Sequence, residues 1–263
     1  MLVIGIILIV AAVGLGVAHV MARRKTGYLL AASDQTAGAL ADIARRVAGE
    51  IGGGGFQEFV TLTGHARCDQ PLMSPLGERP CLYYRATVTR QYEEEYEERD
   101  SQGNVRRRTR RGSETMSSQS EHVDFLLVDD PGDIDVRLQG ADFDGLVKTV
   151  DRFDPQGGFG GGTLSYGRFS MQVGGMGRGR RTLGFQYTEH ILPAAVDLTV
   201  VGQATDRGGR MQIGAGGPAW IVSTKSKAEM IGAAKQTASL TAALSGVCAL
   251  AGVGLTIAGA LQG

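Results

Sequence analysis

Two uncharged apolar runs frame this chain and restrict its fold more than any other feature. Residues 2–22 carry no charged side chain, nor do residues 237–263, so all 27 basic and 27 acidic residues fall between Arg23 and Lys235. A helix over residues 2–22, rising about 1.5 Å per residue, crosses a hydrocarbon core about 30 Å thick. A cleaved signal peptide would want a basic start, a shorter apolar region and a small-residue cleavage site. No Lys or Arg precedes the first run, so the expectation is a membrane anchor. The second run, 237–261, carries small residues at Ala238, Ala242 and Gly246. That spacing of four lies on one helix face and suits close packing against another membrane helix, in this chain or in a second copy.

Charge next sets an orientation. Arg23, Arg24 and Lys25 follow the first run, and Lys225, Lys227 and Lys235 precede the second. By the positive-inside rule the middle of the chain is expected in the cytoplasm, between two spans. The net charge is zero, which argues against a nucleic-acid partner, since that would need a basic excess. The expected partners are the lipid bilayer and a membrane or cytoplasmic protein.

The middle changes period along its length. Leu40, Ile43, Val47 and Ile51 lie at helical spacing within Tyr28–Ile51, with Ser33 or Asp34 as the cap and the Gly52–Gly55 run as the stop. From Phe56 the period is two. Strands are expected over Phe56–Thr63, Cys81–Val88, His122–Asp129, Asp133–Leu138, Arg181–His190, Val196–Ala204, Arg210–Ile213 and Ala219–Ser223. Turns are expected at Asp129-Asp130-Pro131-Gly132 and Asp206-Arg207-Gly208-Gly209. Such short strands predict a membrane-anchored, mainly-β fold: a small antiparallel barrel or sandwich, with a lean toward the OB type, between two transmembrane helices. The expected organisation is a transmembrane helix over 1–22, a juxtamembrane helix and Gly linker over 23–55, a β domain over 56–225 and a transmembrane helix over 237–261.

Two stretches interrupt the β pattern. In the first, 91–120, Glu93, Glu94, Glu95, Glu97 and Glu98 precede Arg106, Arg107, Arg108, Arg110 and Arg111, with a turn signal at Ser101-Gln102-Gly103-Asn104. A hairpin would face the acidic arm with the basic arm; a solvated, partly disordered loop is a second reading, and contact of the basic block with anionic lipid head groups a third, weakened by the adjacent acidic block. The second stretch, 156–180, is Gly-rich and holds Arg178 and Arg180. It lacks the GxxxxGK[ST] pattern and the strand–helix context of a phosphate loop, so a flexible loop is expected.

Chemistry is sparse. Cys68 and Cys81 with His65, His122 or His190 match neither a nucleophile–base signature nor a zinc module. Cys68 and Cys81 are expected as free thiols, with one bridge between them open in an oxidising space. No catalytic, cofactor or metal residue is assigned, and no cofactor is expected. The candidate contact surface is the loop made of Pro71, Leu72, Ser74, Pro75, Leu76 and Pro80. Proline fixes φ and removes a donor, which restricts the loop's shape. Closing a barrel end is the other role open to it.

Four ordered pieces carry a family resemblance. The stretch Gly64–Arg85 follows G-x-A-x(4)-P-L-x-S-P-L-x(4)-C-x-Y-Y-R. After it come Phe125-Leu126-Leu127-Val128-Asp129-Asp130-Pro131-Gly132, Glu189-His190-Ile191-Leu192-Pro193 and Val200-Val201-Gly202. Together they resemble the GIDE, or "beside a membrane", domain, over roughly 56–225. In eukaryotic relatives the resemblance implies a domain between two membrane helices of a mitochondrial outer-membrane E3 ubiquitin ligase, facing the intermembrane space. There a RING finger carries the ligase chemistry, and its two zincs need about eight Cys and His ligands. Three Cys and four His fall short of that set, so this chain reads as a RING-less relative. The expected function is membrane-anchored binding or scaffolding. The alternative is an E3-ligase-type protein or ligase subunit acting with a partner.

Overall fold

The computed structural model describes residues 2–52, 54–99, 105–130, 132–155, 161–174, 180–207 and 210–261. In chain order, α1 (Leu2–Ala31), β1 (Ser33–Asp34) and α2 (Ala37–Ile51) come first. They are followed by β2 (Gln57–Arg67), β3 (Leu72–Met73), β4 (Pro80–Arg99), β5 (Val105–His122), β6 (Phe125–Asp129) and β7 (Gly132–Val136). Next are β8 (Asp142–Asp144), β9 (Val147–Pro155), β10 (Gly162–Tyr166), β11 (Phe169–Val173) and β12 (Arg180–Pro193). The last are β13 (Asp197–Arg207), β14 (Arg210–Gly214), β15 (Ile221–Ser223) and α3 (Lys227–Leu261). The chain divides into two compact units: Met1–Gly64, Val128–Asp144 and Leu198–Gly263 make the first, His65–Leu127 and Gly145–Asp197 the second.

In the first unit α1 and α3 are long and apolar enough to cross a membrane. They pack antiparallel in one register. His19 Nδ1 donates to the Ala238 carbonyl at 2.7 Å, and seven residues along each helix Ser245 Oγ donates to the Ala12 carbonyl at 2.9 Å. Seven further along, Gly5 meets Gly252, where a methyl on Gly5 would sit 2.9 Å from the Gly252 carbonyl oxygen. Small residues at this repeat let the two backbones approach closely. Ala238 belongs to this contact, whereas Ala242 and Gly246 of the expected stripe are exposed, Gly246 with nothing within 4 Å of where a Cβ would lie.

The expected helix over Tyr28–Ile51 is two helices. α1 continues through the basic residues to Ala31, and Leu29 and Ala32 pack with Val201, Ile221 and Met230. Ser33 and Asp34 do not cap α2; they form β1, parallel to β2 opposite Val60 and Thr61. Thr36 is the cap, with extended backbone (φ −114°, ψ 155°) and its hydroxyl accepting from the Ala39 amide. Gly52 ends α2 at φ 90°, where a glycine is favoured. A second acceptor comes from outside the helix: Asp129 Oδ2 takes the Ala37 amide at 2.6 Å while its Oδ1 takes the Gly132 amide at 3.0 Å. One carboxylate thus serves a helix start and a β6–β7 turn; Pro131 lies outside the described residues.

The larger sheet closes on itself. Its order is β1-β2-β6-β7-β14-β13-β15-β8, with β2 also paired to β13. The circuit β2-β6-β7-β14-β13 is a five-stranded barrel in which β7 and β14 run parallel and β13 and β14 antiparallel. Counted along the chain its strands follow 1-2-3-5-4-1, the order of an OB-type barrel. Strand β13 is buried without alternation from Leu198 to Gly202, as expected of a strand covered on both faces, and Val201 lies among α1 and α3 residues. At Gly202 the Trp220 ring takes the place of a side chain: a Cβ would lie 2.5 Å from Trp220 Cε3.

The second unit is built from the two long insertions into that barrel, between β2 and β6 and between β7 and β13. Its sheet runs β3-β4-β12-β9, with β5 also on β4. Beside it stands the β10–β11 hairpin. Leu76, Ala86, Val88, Val150, Leu164, Phe169, Val173, Phe185 and Tyr187 form its core. The polar stretch 91–120 is a true hairpin, in which β4 and β5 pair from Tyr83↔His122 to Arg99↔Val105; the expected turn at residues 101–104 lies outside the described residues. The stretch 156–180 is not one loop. It contains β10 and β11 between 156–160 and 175–179, which with residues 208–209 of the other glycine turn lie outside the described residues.

Candidate functional site

The Pro71–Pro80 loop leaves β3 and returns into β4. Its backbone is tied first to itself: the Ser74 amide donates to the Arg79 carbonyl at 3.0 Å, and the Glu78 amide to the Ser74 carbonyl at 3.2 Å. Glu78 takes a left-handed φ of 51° to close the turn. Leu72 and Met73 pair with Cys81 and Pro80 as β3 against β4.

Sequence reading missed the group that organises this loop. Glu189, on β12, is fully buried and turns its carboxylate into the loop. Oε1 accepts from Ser74 Oγ at 2.9 Å, the Gly77 amide at 3.0 Å and Thr149 Oγ1 at 2.7 Å. Oε2 accepts from the Leu76 amide at 2.8 Å. A buried carboxylate is tolerated where donors surround it, and charge-assisted bonds are the stronger kind. Gly77 is needed for the approach, since a Cβ there would lie 2.7 Å from Oε1. From the other side the Arg168 amide donates to the Pro75 carbonyl at 2.8 Å. Gly167, at φ 57°, packs its backbone 2.8 Å from that same oxygen, measured from where a Cβ would stand.

The six residues of the expected surface therefore have different places. Ser74 and Leu76 are buried, Ser74 on Glu189 and Leu76 in the core. Pro71, Leu72 and Pro75 are half-buried, and Pro80 is exposed. Met73, Glu78 and Arg79 complete the exposed rim. A loop fixed this way presents its rim without losing much conformational entropy on contact.

The thiols and histidines do not assemble beside it. Cys68, Cys81 and Cys248 are free. Burial, with Glu189 and Glu121 adding repulsion, pushes the Cys81 thiol up to about 12, and its Sγ lies 3.6 Å from the Leu72 carbonyl. A thiol held protonated is a poor nucleophile. Half-buried Cys68 lies 3.9 Å from the Asp124 carbonyl, and His65 pairs with Asp197 at 3.0 Å on the surface. Among the described residues no group of three or more His, Cys, Asp or Glu side chains is placed to hold a metal ion.

The charged hairpin satisfies itself. Glu93 and Glu94 stand opposite Arg111 and Arg110, and Glu97 and Glu98 opposite Arg107 and Arg106. Ion pairs follow at Arg111–Glu93 (3.3 Å), Arg110–Glu94 (3.0 Å) and Arg108–Glu98. The Arg110 hydrogen bonds, joined by Arg180, hold Glu94 below the usual carboxylate range. Arg110 also lies over the Tyr96 ring at 5.7 Å, and Arg90 and Arg180 lie over Tyr92 at 5.2 and 4.9 Å. The basic block is thereby charge-matched on its own sheet.

No curated protein and no solved structure matches the chain. The GIDE family, described as E3 Ubiquitin ligase, matches over residues 93–258, from the hairpin into α3. The match includes the Phe125–Gly132, Glu189–Pro193 and Val200–Gly202 pieces and begins after Gly64–Arg85. Three matched pieces have structural tasks: Asp129 caps α2, Glu189 holds the proline-rich loop and Gly202 receives Trp220. By the extent of that match, the chain belongs to the GIDE family.

Proposed function

We propose that this protein is a two-span membrane protein that presents its β domain at the bilayer as a binding or scaffolding surface, on the cytoplasmic side. The observation that carries the anchoring is the outward face of the helix pair. Leu250, Val247 and Val10 are 80%, 66% and 66% exposed although the helices pack on each other. Apolar surface on that scale calls for lipid or another apolar partner. The orientation rests on the basic residues, which lie where each helix meets the barrel unit. The rim of the Pro71–Pro80 loop is the surface offered to a protein partner, by virtue of its rigidity. The test uses a C68A background with an exposed Ser118→Cys in the hairpin. A membrane-impermeant maleimide should label it only after the cells are opened; labelling on intact cells overturns the orientation. A photo-crosslinker at Met73 should capture a protein partner in native membranes that a crosslinker at exposed Thr63 does not.

The family description favours a second reading, a ligase subunit whose chemistry is completed by a partner. Purified full chain with ubiquitin and the activating and conjugating enzymes separates the two. Conjugates formed by the chain alone would replace the scaffolding reading, and conjugates formed only when a captured partner is added would support the subunit reading.

A further inference from the structure

Where α1 and α3 leave the barrel, a groove of about 390 Å³ opens between them. Its walls are Ala18, Met21, Ala22, Met230, Ala233 and Thr237, and its end is closed by Lys25 and Asp144. The walls are nearly all apolar and the end is charged, the polarity of an amphiphile lying along the helices. The groove also sits at the sequence positions where both apolar runs give way to basic residues.

The charged end is built. Asp144 ends β8, which is held parallel to β15, and its carbonyl accepts from the Thr224 amide. Its Oδ2 takes Lys25 Nζ from α1 at 2.9 Å, and its Oδ1 takes Lys225 Nζ, just ahead of α3, at 2.7 Å. One carboxylate thus fixes two long, otherwise mobile side chains side by side. An ammonium has three N–H donors, and each of these lysines uses one among the described residues. Arg23 and Arg24, next to Lys25 in the chain, and Lys235, next to the groove residue Ala234, are exposed. Of the nearby acids, Asp144 is engaged as described, Asp34 pairs with Lys227, Glu229 is bonded by Ser226, and Asp142 on β8 is exposed, so the basic residues outnumber the acidic ones. The balance is cationic.

We propose that this groove holds one anionic phospholipid, an acyl chain against Ala22 and Ala233 and the phosphate on Lys25 and Lys225. A zwitterionic lipid would fill the apolar part as well but would gain less at the charged end, because its own cation opposes the lysines. Asp144 is a positioning residue: it spaces the two ammoniums and does not meet the phosphate. The inference rests on the membrane reading above and deepens it from anchoring to lipid selection.

The test uses the purified full chain, delipidated in detergent, with native mass spectrometry reading retained lipid. Dioleoyl phosphatidylglycerol should be retained in preference to dioleoyl phosphatidylcholine, and glycerol phosphate without acyl chains should not be retained. Lys25→Gln with Lys225→Gln should reduce the preference by about fivefold per lysine. Ala233→Phe, which fills the groove without changing charge, should abolish retention of both lipids. Asp144→Asn breaks the same ion pairs but keeps both ammoniums, so it should weaken the preference for phosphatidylglycerol by less than the double lysine variant does. Equal retention of the two lipids by the native chain, or an unchanged preference in the double lysine variant, overturns the proposal. Loss of preference in Asp144→Asn equal to that in the lysine variant also overturns it, because damage to the helix junction would then explain both. Alkaline extraction of cell membranes separates this failure from that of the anchoring. A chain washed off the membrane sinks the two-span reading, whereas a chain that stays but shows no lipid preference sinks the groove alone.

Discussion

Glu189 and Glu94 are both carboxylates on the sheet of the second unit, and they do opposite kinds of work. Glu189 is fully buried and gathers donors from Ser74, Leu76, Gly77 and Thr149. Those donors come from segments as much as 115 residues away. Glu94 stands near the surface among Arg110 and Arg180, in a row of similar pairs. Burial strengthens each bond to Glu189 and also makes its loss expensive, because every donor would be left without water or partner. Water reaches the arginines that pair with half-buried Glu94, and its neighbours can substitute for one another. A charge count cannot tell the two apart; solvent and topology do.

The sharpest way to break this contrast is Glu189→Gln, which keeps shape and removes charge. The amide nitrogen must then face at least one donor where an acceptor stood. The expected loss is about 3–5 kcal/mol, the range for removing one partner from a buried charged network. Hydrogen exchange at the Leu76 and Gly77 amides in the full chain checks it: both should lose protection together. Retained protection at both would show that the prolines and the Gly167 turn hold the loop without the carboxylate.

Asp129 is the intermediate case: half-buried like Glu94, it is bound to two backbone amides, against four donors at Glu189. Asp129→Ala should cost about 1–2 kcal/mol, the range for removing a helix cap. The loss should appear as faster exchange at the Ala37 and Gly132 amides. An effect as large as that of Glu189→Gln would mean that burial does not set the ranking.

How much of this was legible follows the same division. The charged hairpin could be read from its sequence because Glu93–Glu98 and Arg106–Arg111 are local and complementary. The two apolar helices could be read because composition alone marks them. The barrel strands were visible as period-two runs, and the OB-type lean agrees with the closed circuit. Glu189 was visible only as a letter in a family pattern, since its donors lie far away along the chain. Neither burial nor a partner at that distance leaves a local signal. The seven-residue register Gly5–Ala12–His19 against Ala238–Ser245–Gly252 was written in the sequence. It was hidden because other small residues, Ala242 and Gly246 among them, make a competing stripe. Strands β9, β10 and β11 were missed because glycine dominates the stretches beside them.

Asp144 extends the comparison to pH. Burial by itself would raise its pKa, but hydrogen bonds from Lys225 and Lys25 outweigh that and hold the carboxyl below its ordinary value of 3.8. A carboxylate with a depressed folded value contributes stability above its unfolded value, and loses it as pH falls through the folded one. The native chain should therefore exceed Asp144→Asn in stability at neutral pH, and the difference should close below about pH 4, near the carboxylate reference value. Chemical denaturation of both chains in detergent at pH 7 and at low pH reads this directly. A difference that persists unchanged in acid would assign the role of Asp144 to packing rather than charge.

The smallest effect is expected in the hairpin, where Glu94→Gln removes the carboxylate held by two arginines. Glu94 is half-buried, but its partners Arg110 and Arg180 are exposed to water, and Glu93 and Glu98 keep their own pairs with Arg111 and Arg108. The cation–π contact of Arg110 with Tyr96 also survives the substitution. Thermal unfolding should therefore be indistinguishable from that of the native chain at moderate salt. Raising the salt should not open a gap between them, because screening weakens what is already weak. A clear destabilisation would show that the ladder works as one cooperative network. The difference between one fully buried carboxylate and a row of partly exposed ones would then lie in connectivity as well as in burial.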